Sequence, residues 1–402
     1  MKSKIIKNWK QKLESELKEN ILSFWIRQTQ DLENGGFYGY ISNDNTIKKD
    51  APKGLIPNAR ILWTFSAAAR YWNKDKYIKM ANRAYDYILK YFFDNKYGGG
   101  YWMLDFQGNP IDKKKKSYGQ AFLIYGLSEY YRATGSEEAL NLAKDYFDLI
   151  ENKIYDQEIG GYIETFNRDW SISEDARLSE KDMDEKISMN NHLHILEAYT
   201  NLLRVWKNAL LEERLSQLIR IFLEHIISSD NFHLNLFFDE NWNVKSETIS
   251  YGHDIECSWL LLEAAQVLGD AEVIDEVEAV VPKMVDVTIQ EGINDNGAVY
   301  YEKKGTGEIV RDIDWWPQAE TVVGLVNAYQ ITGQTEYLEQ GVKTWQFIEE
   351  NVVNKENGEW YNKITPDGEP CSDCGKVSIW KGPYHNARAC MELIDRLEKI
   401  IE

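Results

Sequence analysis

Histidine, arginine and glutamate recur in one phase of this 402-residue chain, each close to the start of an apolar stretch with helical spacing. The six windows are PNAR (57–60), SYGQ (117–120), NNHLH (190–194), YGHDIE (251–256), DWWPQAE (314–320) and WKGPYHNAR (380–388). Four of the six histidines lie in them. Polar groups on a helix built for burial are costly unless they find partners or face a wet cavity. Imidazoles that face such a cavity suit proton transfer near neutral pH, because their unperturbed pKa already lies there. Two of them on opposite faces of one carbon could take a proton from one side and return it on the other. Beside a carbonyl this inverts the centre through an enediolate. Arg60 would steady the developing oxyanion, an effect of roughly 3–4 kcal/mol for one well-placed donor. A glycosidase would instead need two facing carboxylates. Glu256 and Glu320 could fill that role, but the in-phase histidines would then be left without one.

Helix geometry sorts the histidines. His192 and His194 are two residues apart and face different ways, whereas Asn190 and His194 are i,i+4 neighbours with Glu197 close by. His194 is therefore assigned to the cavity and His192 to structure. His253 and His385 join His194 as candidates, and His225 and His233 are read as solvated or structural. Trp315, Trp316 and Trp380 sit beside polar groups, where indoles offer platforms for sugar rings. Lys113–Lys116 reads as a solvated charge run.

These residues need a scaffold that brings six separate windows together, and internal repetition supplies one. A short Gly/Asn-plus-aromatic segment recurs at 34–41, 97–104, 159–166, 234–241, 295–302 and 356–363. Its anchors, Gly36, Gly99, Gly161, Asn235, Gly297 and Gly358, are spaced 63, 62, 74, 62 and 61 residues apart. The long step places extra loop around 167–187. Each segment reads as a β-hairpin with a polar turn. After it come a helical stretch, a breaker such as Thr134-Gly135, Leu268-Gly269 or Thr332-Gly333, and a second helical stretch. Residues 4–28 complete the set. Six helix pairs around one interior predict an all-α fold, an (α/α)6 barrel with hairpins at one end, forming a single catalytic domain over 1–402. The post-hairpin helices, apolar all round, should form the inner ring and the charged ones the outer ring. An open superhelix of helix pairs is the competing layout.

The formal net charge of −19 disfavours nucleic acid and anionic membranes as partners. No apolar run reaches the roughly 18 residues of a membrane span, and the N-terminus lacks the apolar core and cleavage site of a signal peptide. Four cysteines (Cys257, Cys371, Cys374, Cys390) are few and suggest reduced thiols in a cytoplasmic protein. Cys371-x-x-Cys374 could take part in a zinc site only with further ligands, and His385 and Cys390 are the only ones that follow closely; loop packing is the simpler reading. There is no HExxH, phosphate loop or GxSxG. The expected partner is a small neutral molecule, and the expected state a monomer.

The six-fold pattern, together with PNARILW, MNNHLHILEAYTNL, YGHDIECSWLL, DWWPQAE and WKGPYHNAR, resembles the N-acylglucosamine 2-epimerase superfamily over residues 10–397. Within it the likeness runs nearest to the cellobiose 2-epimerases. The resemblance implies epimerisation at C2 of the reducing-end glucose of β-1,4-linked disaccharides, cellobiose giving glucosyl-mannose and lactose giving epilactose, without a metal or other cofactor. By position, it implies that His253 and His385 exchange the C2 proton. It further implies that His194 helps open the sugar ring and shuttles protons between the C1 and C2 oxygens, with Asn190 beside it, and that Arg60 holds the enediolate. Tyr118, Glu256, Trp316 and Trp380 match the sugar-contacting shell, with Trp315, Glu320 and Arg388 adjacent. The alternatives are an N-acylglucosamine 2-epimerase or mannose isomerase acting on monosaccharides and, more distantly, an (α/α)6 glycoside hydrolase or a non-catalytic sugar-binding barrel.

Overall fold

A computed structural model describes residues 2–401, with side chains from residue 4; residues 1 and 402, the ends of the expected domain, lie outside the described residues. In chain order the helices begin with α1 (Lys2–Ser15), which runs through a π-helical turn (Glu16–Ile21) into α2 (Leu22–Gln28). Next come α3 (Leu55–Trp72), α4 (Asp75–Tyr87), α5 (Ser117–Thr134), α6 (Glu137–Lys153) and α7 (Met189–Leu203). The remainder are α8 (Ala209–Ile221), α9 (Tyr251–Leu268), α10 (Ala271–Val287), α11 (Trp315–Thr332), α12 (Thr335–Phe347) and α13 (Tyr384–Ile401). The odd-numbered helices from α3 onward form an inner ring, and the α1–α2 rod and the even-numbered helices from α4 onward surround it.

The two rings differ as their sequences require. Helix α3 is buried without interruption from Leu55 to Ala69, and α5 from Ser117 to Tyr130. Outer α4 buries only a stripe, Tyr77, Met80, Ala81, Ala84, Tyr85 and Tyr87, and turns Asp75 and its lysines outward. Inner neighbours approach closely where a side chain is missing. A β-carbon on Gly126 would lie 3.0 Å from the Ala59 carbonyl, and one on Gly324 2.7 Å from the Ile255 side chain. The expected breakers Gly135, Gly269 and Gly333 cap α5, α9 and α11 in the left-handed conformation.

Short hairpins follow the outer helices. At their turns Asp31, Asp94, Asp156, Asn294 and Asn354 accept backbone N–H groups two to four residues on. The strand leading into each inner helix pairs with the hairpin of the following repeat: Lys53–Gly54 with Met103–Leu104, Lys115–Lys116 with Thr165–Phe166, Ile187–Ser188 with Phe237–Phe238, Ile249 with Lys303, and Ile313–Asp314 with Lys363–Ile364. The sixth lead-in returns to the first repeat, Val377 pairing with Ile41. This pairing closes the ring and rules out the open superhelix.

Two expectations need correcting. Lys115 and Lys116 are buried, not solvated: Lys115 donates to Asp94 at 3.2 Å, and Lys116 to the carbonyls of Arg177 and Leu178 at 3.0 and 2.7 Å. The lead-in strand takes them inside, and equivalent lysines do the same elsewhere: Lys53 pairs with Asp31 at 2.7 Å and Lys381 with Glu359 at 2.7 Å. Nor are all four thiols reduced. Cys371 and Cys374 form a disulfide, a loop having brought their α-carbons to 5.4 Å, while Cys257 and Cys390 are free and buried. With both sulfurs so bonded, they offer no thiolate to a zinc ion. Among the described residues no helix is long and apolar enough to cross a membrane.

Candidate active site

The N-terminal turns of the six inner helices meet at the hairpin end of the barrel, each aimed by its lead-in strand. There three imidazoles share one mode of attachment. Nδ1 of His194 lies 2.9 Å from Glu197 Oε2, Nδ1 of His385 lies 2.6 Å from Glu320 Oε1, and Nδ1 of His253 lies 2.7 Å from Ser250 Oγ. Among the described residues none of the three Nε2 atoms has a hydrogen-bond partner. A carboxylate only accepts, so it fixes the proton of a neutral imidazole on Nδ1 and leaves the Nε2 lone pair free. That is the state a general base needs. Ser250 can donate or accept, so His253 can take either tautomer.

His253 and His385 flank one indole, with ring centroids 4.7 and 5.7 Å from Trp316. Burial, aided by the charges of neighbouring basic groups, lowers the His253 pKa to about 3 and that of His385 well below its ordinary value. Both rings are neutral near pH 7. Arg60 contributes to both shifts. Its guanidinium lies 4.5 Å from the Phe122 ring and 5.1 Å from the Tyr384 ring, and donates to Tyr118 Oη at 2.8 Å and the Trp380 carbonyl at 3.2 Å. Arg60 thus brings a permanent positive charge to the place where two neutral bases converge.

Beneath them Arg388 gathers the carboxylates. It donates to Glu256 Oε1 at 2.6 Å, to Glu320 Oε1 at 2.7 Å and to Glu197, which also accepts from Tyr384. Trp259 Nε1 donates to the other oxygen of Glu320 at 3.1 Å. One guanidinium cannot balance three buried carboxylates, and their pKa values separate. Burial outweighs Arg388 at Glu256, which rises to about 7, and raises Glu320 too; at Glu197 burial is outweighed by Arg388 and His194, and the pKa falls. Glu256, Glu320 and His385 lie close enough together to ligate a cation. Arg388 already donates to both of those carboxylates, so the position is filled by a positive group of the chain itself.

A family model described as N-acylglucosamine 2-epimerase (GlcNAc 2-epimerase) matches residues 36–389. The chain belongs to this family. The cellobiose 2-epimerase of Bacteroides fragilis is 48% identical over 386 residues, spanning 96% of this chain and 98% of that protein. Among solved structures, cellobiose 2-epimerase from Bacillus thermoamylovorans superposes with a TM-score of 0.93 at 40% identity, covering 97% of this chain and 100% of that one. Cellobiose 2-epimerase from Spirochaeta thermophila gives a TM-score of 0.90 at 38% identity, covering 99% and 98%. The chain is a carbohydrate epimerase whose substrate is a small carbohydrate.

His194, His253, His385, Arg60, Tyr118 and Trp316 come together in the epimerase as the windows suggested, with Trp380 at the rim and Asn190 one helical turn before His194. The Asn190 side-chain oxygen is buried without a partner. Four residues expected in or beside the sugar shell have partners within the protein. Arg388, Glu256 and Glu320 are 1%, 1% and 0% exposed and bind one another. Trp315 packs edge-on against His385 and lies 5.0 Å from the Lys381 ammonium. Arg388 spends its terminal nitrogens on Glu197, Glu256 and Glu320. Sequence reasoning missed Ser250 and Tyr384 and gave Glu197 no role. The i,i+3 spacing to His253 and His194 was the available signal for Ser250 and Glu197.

His192 is structural. Its Nδ1 lies 2.8 Å from the Ser188 carbonyl and its Nε2 accepts the Tyr162 N–H at 3.1 Å, so neither nitrogen is free. Of the other two, His233 is buried against Asp254 at 2.7 Å, and exposed His225 stacks on Trp242. Burial lowers the His192 pKa to about 4, from 6.5. The unfolded chain therefore takes this proton first, and stability falls as pH drops from about 6.5 to about 4. His192→Ala is expected to cost about 1–3 kcal/mol at pH 7, to flatten that acid-side decline, and to leave kcat within twofold. Thermal melts across pH and initial rates check this.

Proposed function

We propose that this epimerase inverts C2 of the reducing-end glucose of β-1,4-linked disaccharides, converting cellobiose to glucosyl-mannose and lactose to epilactose, and that residues 1–402 act as one catalytic unit. The reading rests above all on His253 and His385 flanking Trp316 with neutral rings and free Nε2 atoms beside Arg60. The disaccharide preference rests on the likeness to cellobiose 2-epimerases and on the aromatic rim. Trp380 and Trp102 lie 5.8 Å apart there, and an indole face is a stacking surface for a second sugar.

In this mechanism His194 assists opening of the pyranose, passing the O1 proton to O5. In the aldehyde so formed, Nε2 of one imidazole removes the C2 proton. The C–H pair becomes the C1–C2 double bond and negative charge moves to O1, facing Arg60. His194, oriented by Glu197, carries the proton between O2 and O1. Rotation about C2–C3 turns the other face to the opposite imidazole, whose Nε2 takes up a proton from water at the open mouth and delivers it to C2 while O1 returns to the aldehyde carbonyl. The first imidazole, now an imidazolium, releases the proton it took to water, and both rings are neutral again. Misdirected return to C1 instead gives the ketose as a side product. Glu256 and Glu320 are tied to Arg388, which leaves no pair free to flank a glycosidic bond, and this disfavours the hydrolase.

Incubation with cellobiose, lactose, glucose, mannose and N-acetylglucosamine in heavy water tests the proposal. Expected are the C2 epimers of the disaccharides, carrying deuterium at C2. Turnover of N-acetylglucosamine alone would transfer the chain to the monosaccharide alternative. Bond cleavage without epimer would make it a hydrolase.

A further inference from the structure

One motif of the sequence has no part in the mechanism: Cys371-x-x-Cys374, closed as a disulfide. Its place in the fold is specific. Cys371 ends the second arm of the sixth hairpin, its N–H donating to the Lys363 carbonyl at 2.9 Å. Cys374 opens the sixth lead-in, three residues before Val377, which exchanges N–H···O=C bonds of 3.1 and 3.3 Å with Ile41 of the first hairpin. The bridge therefore spans the turn through which the last repeat meets the first.

That turn also lies against the first hairpin. The Cys371 carbonyl accepts from Asn43 Nδ2 at 2.9 Å, and the Asp373 carbonyl from Tyr40 Oη at 3.3 Å. A β-carbon on Gly375 would come within 2.6 Å of the Tyr40 ring and 2.8 Å of the Ile41 carbonyl, so the chain after Cys374 packs there without room for a side chain. Six residues beyond Cys374, the Trp380 carbonyl accepts from Arg60 at 3.2 Å. The cystine turn, the seam of the ring and the rim of the site thus belong to one short stretch, 371–380.

Two properties favour a bridge that opens and closes over a fixed staple. The stabilisation a cross-link gives through the unfolded chain grows with the loop it closes, and this one closes a single turn, so what it holds is local. It is also within reach. Ser372 and Asp373 are exposed and both cysteines half-buried, whereas Cys257 and Cys390 are 0% exposed. Thiol–disulfide exchange needs access to a sulfur, and a thiolate arriving from solvent meets this pair and not the other two.

We infer that Cys371–Cys374 is a thiol-exchange site whose state sets how firmly the seam of the barrel and the rim at Trp380 are held. The co-reactant is a dithiol. One of its thiolates attacks a cystine sulfur; the S–S bond breaks and a mixed disulfide forms. The second thiolate of the reductant then displaces the bound cysteine and closes a cyclic disulfide, and the two cysteine thiolates take up protons. Two electrons and two protons have passed to the protein. The seam then depends on its hydrogen bonds without the cross-link behind them.

Dithiothreitol applied to the native full chain tests this. Expected are two titratable thiols per chain, with Cys257 and Cys390 silent, and amide hydrogen exchange at Ile41 and Val377 at least tenfold faster. The amide of Leu55, bonded to the Trp102 carbonyl at 3.0 Å in the first lead-in, should be unaffected. Oxidised dithiothreitol should restore the slow rates, and Cys371→Ser combined with Cys374→Ser should exchange fast in either reagent. The kinetic counterpart rests on the proposed epimerisation: once the reductant is removed, KM for cellobiose should be at least threefold higher, with kcat within twofold. Failure to release thiols from the native protein, release with unchanged exchange at Ile41 and Val377, or an unchanged KM in an enzyme that turns over each overturns the inference. No turnover of cellobiose in either redox state would overturn the proposed epimerisation instead, and the amide rates would decide the thiol-exchange site.

Discussion

His253→Ala and His385→Ala are each expected to lower kcat for cellobiose by about 10²–10⁴-fold, the range for removal of a positioned general acid or base, with the melting temperature nearly unchanged for His253→Ala. His253 is half-buried and holds one hydrogen bond, to Ser250, so its loss leaves little behind. His385→Ala opens a space beside Trp315 and Trp316 and leaves Glu320 its bonds to Arg388 and Trp259; a modest loss of stability is expected there. The two variants differ in a way that a folding defect would not mimic. If the rings serve opposite faces of C2, each variant retains partial reaction on one face. His253→Ala and His385→Ala should then wash deuterium into only one of the two epimers, glucose-ended or mannose-ended, and in opposite senses. Nuclear magnetic resonance of each epimer in heavy water reads this directly. Equal exchange by both variants would remove the two-base mechanism.

Arg388→Met is expected to be the most damaging single change to the fold. It leaves Glu197, Glu256 and Glu320 without their common donor at a site 1% exposed. Stranding one partner of a buried ion pair costs about 3–5 kcal/mol, and here three carboxylates lose the one cation they share. Soluble yield and denaturant midpoint measure the loss. Arg388→Lys keeps the charge but cannot span all three acceptors. It should fold, with His194 and His385 less firmly oriented because Glu197 and Glu320 are, and a misplacement of that kind costs on the order of 10²-fold in rate. The expected signature is a fall in kcat with KM little changed. The reverse pattern would place Arg388 on the sugar.

The ring of helix pairs was legible because each repeat has to solve the same burial problem, so the apolar spacing, the breaker and the turn recur at nearly fixed intervals. The imidazoles were legible for the same reason: a polar group at the first turn of an otherwise buried helix stands out. The partner of each side chain was not. Glu256 and Arg388 lie three residues after His253 and His385 in the same windows, and Glu320 closes the window between them; which of these side chains joins the Arg388 cluster and which keeps a free nitrogen is decided by less than one helical turn. Convergence on Arg388 links α7, α9, α11 and α13, and no single helix carries a sign of it. Lys115 was misread because a run of four lysines hides a two-residue strand with its side chains inside. Ser250 escaped notice because it lies one residue before its helix, in a stretch without pattern.

The pairing of Ile41 with Val377 has a consequence for how the molecule comes into being. Every other lead-in strand finds its hairpin in the repeat that is made next, so those joints can set in order while the chain is still growing. The first hairpin must wait for nearly the whole polypeptide. Until Val377 has been made, the edge at Ile41 has no strand to pair with, and the repeat that supplies it also carries Trp380 and His385. His385 can therefore join the other imidazoles only when the polypeptide is nearly complete.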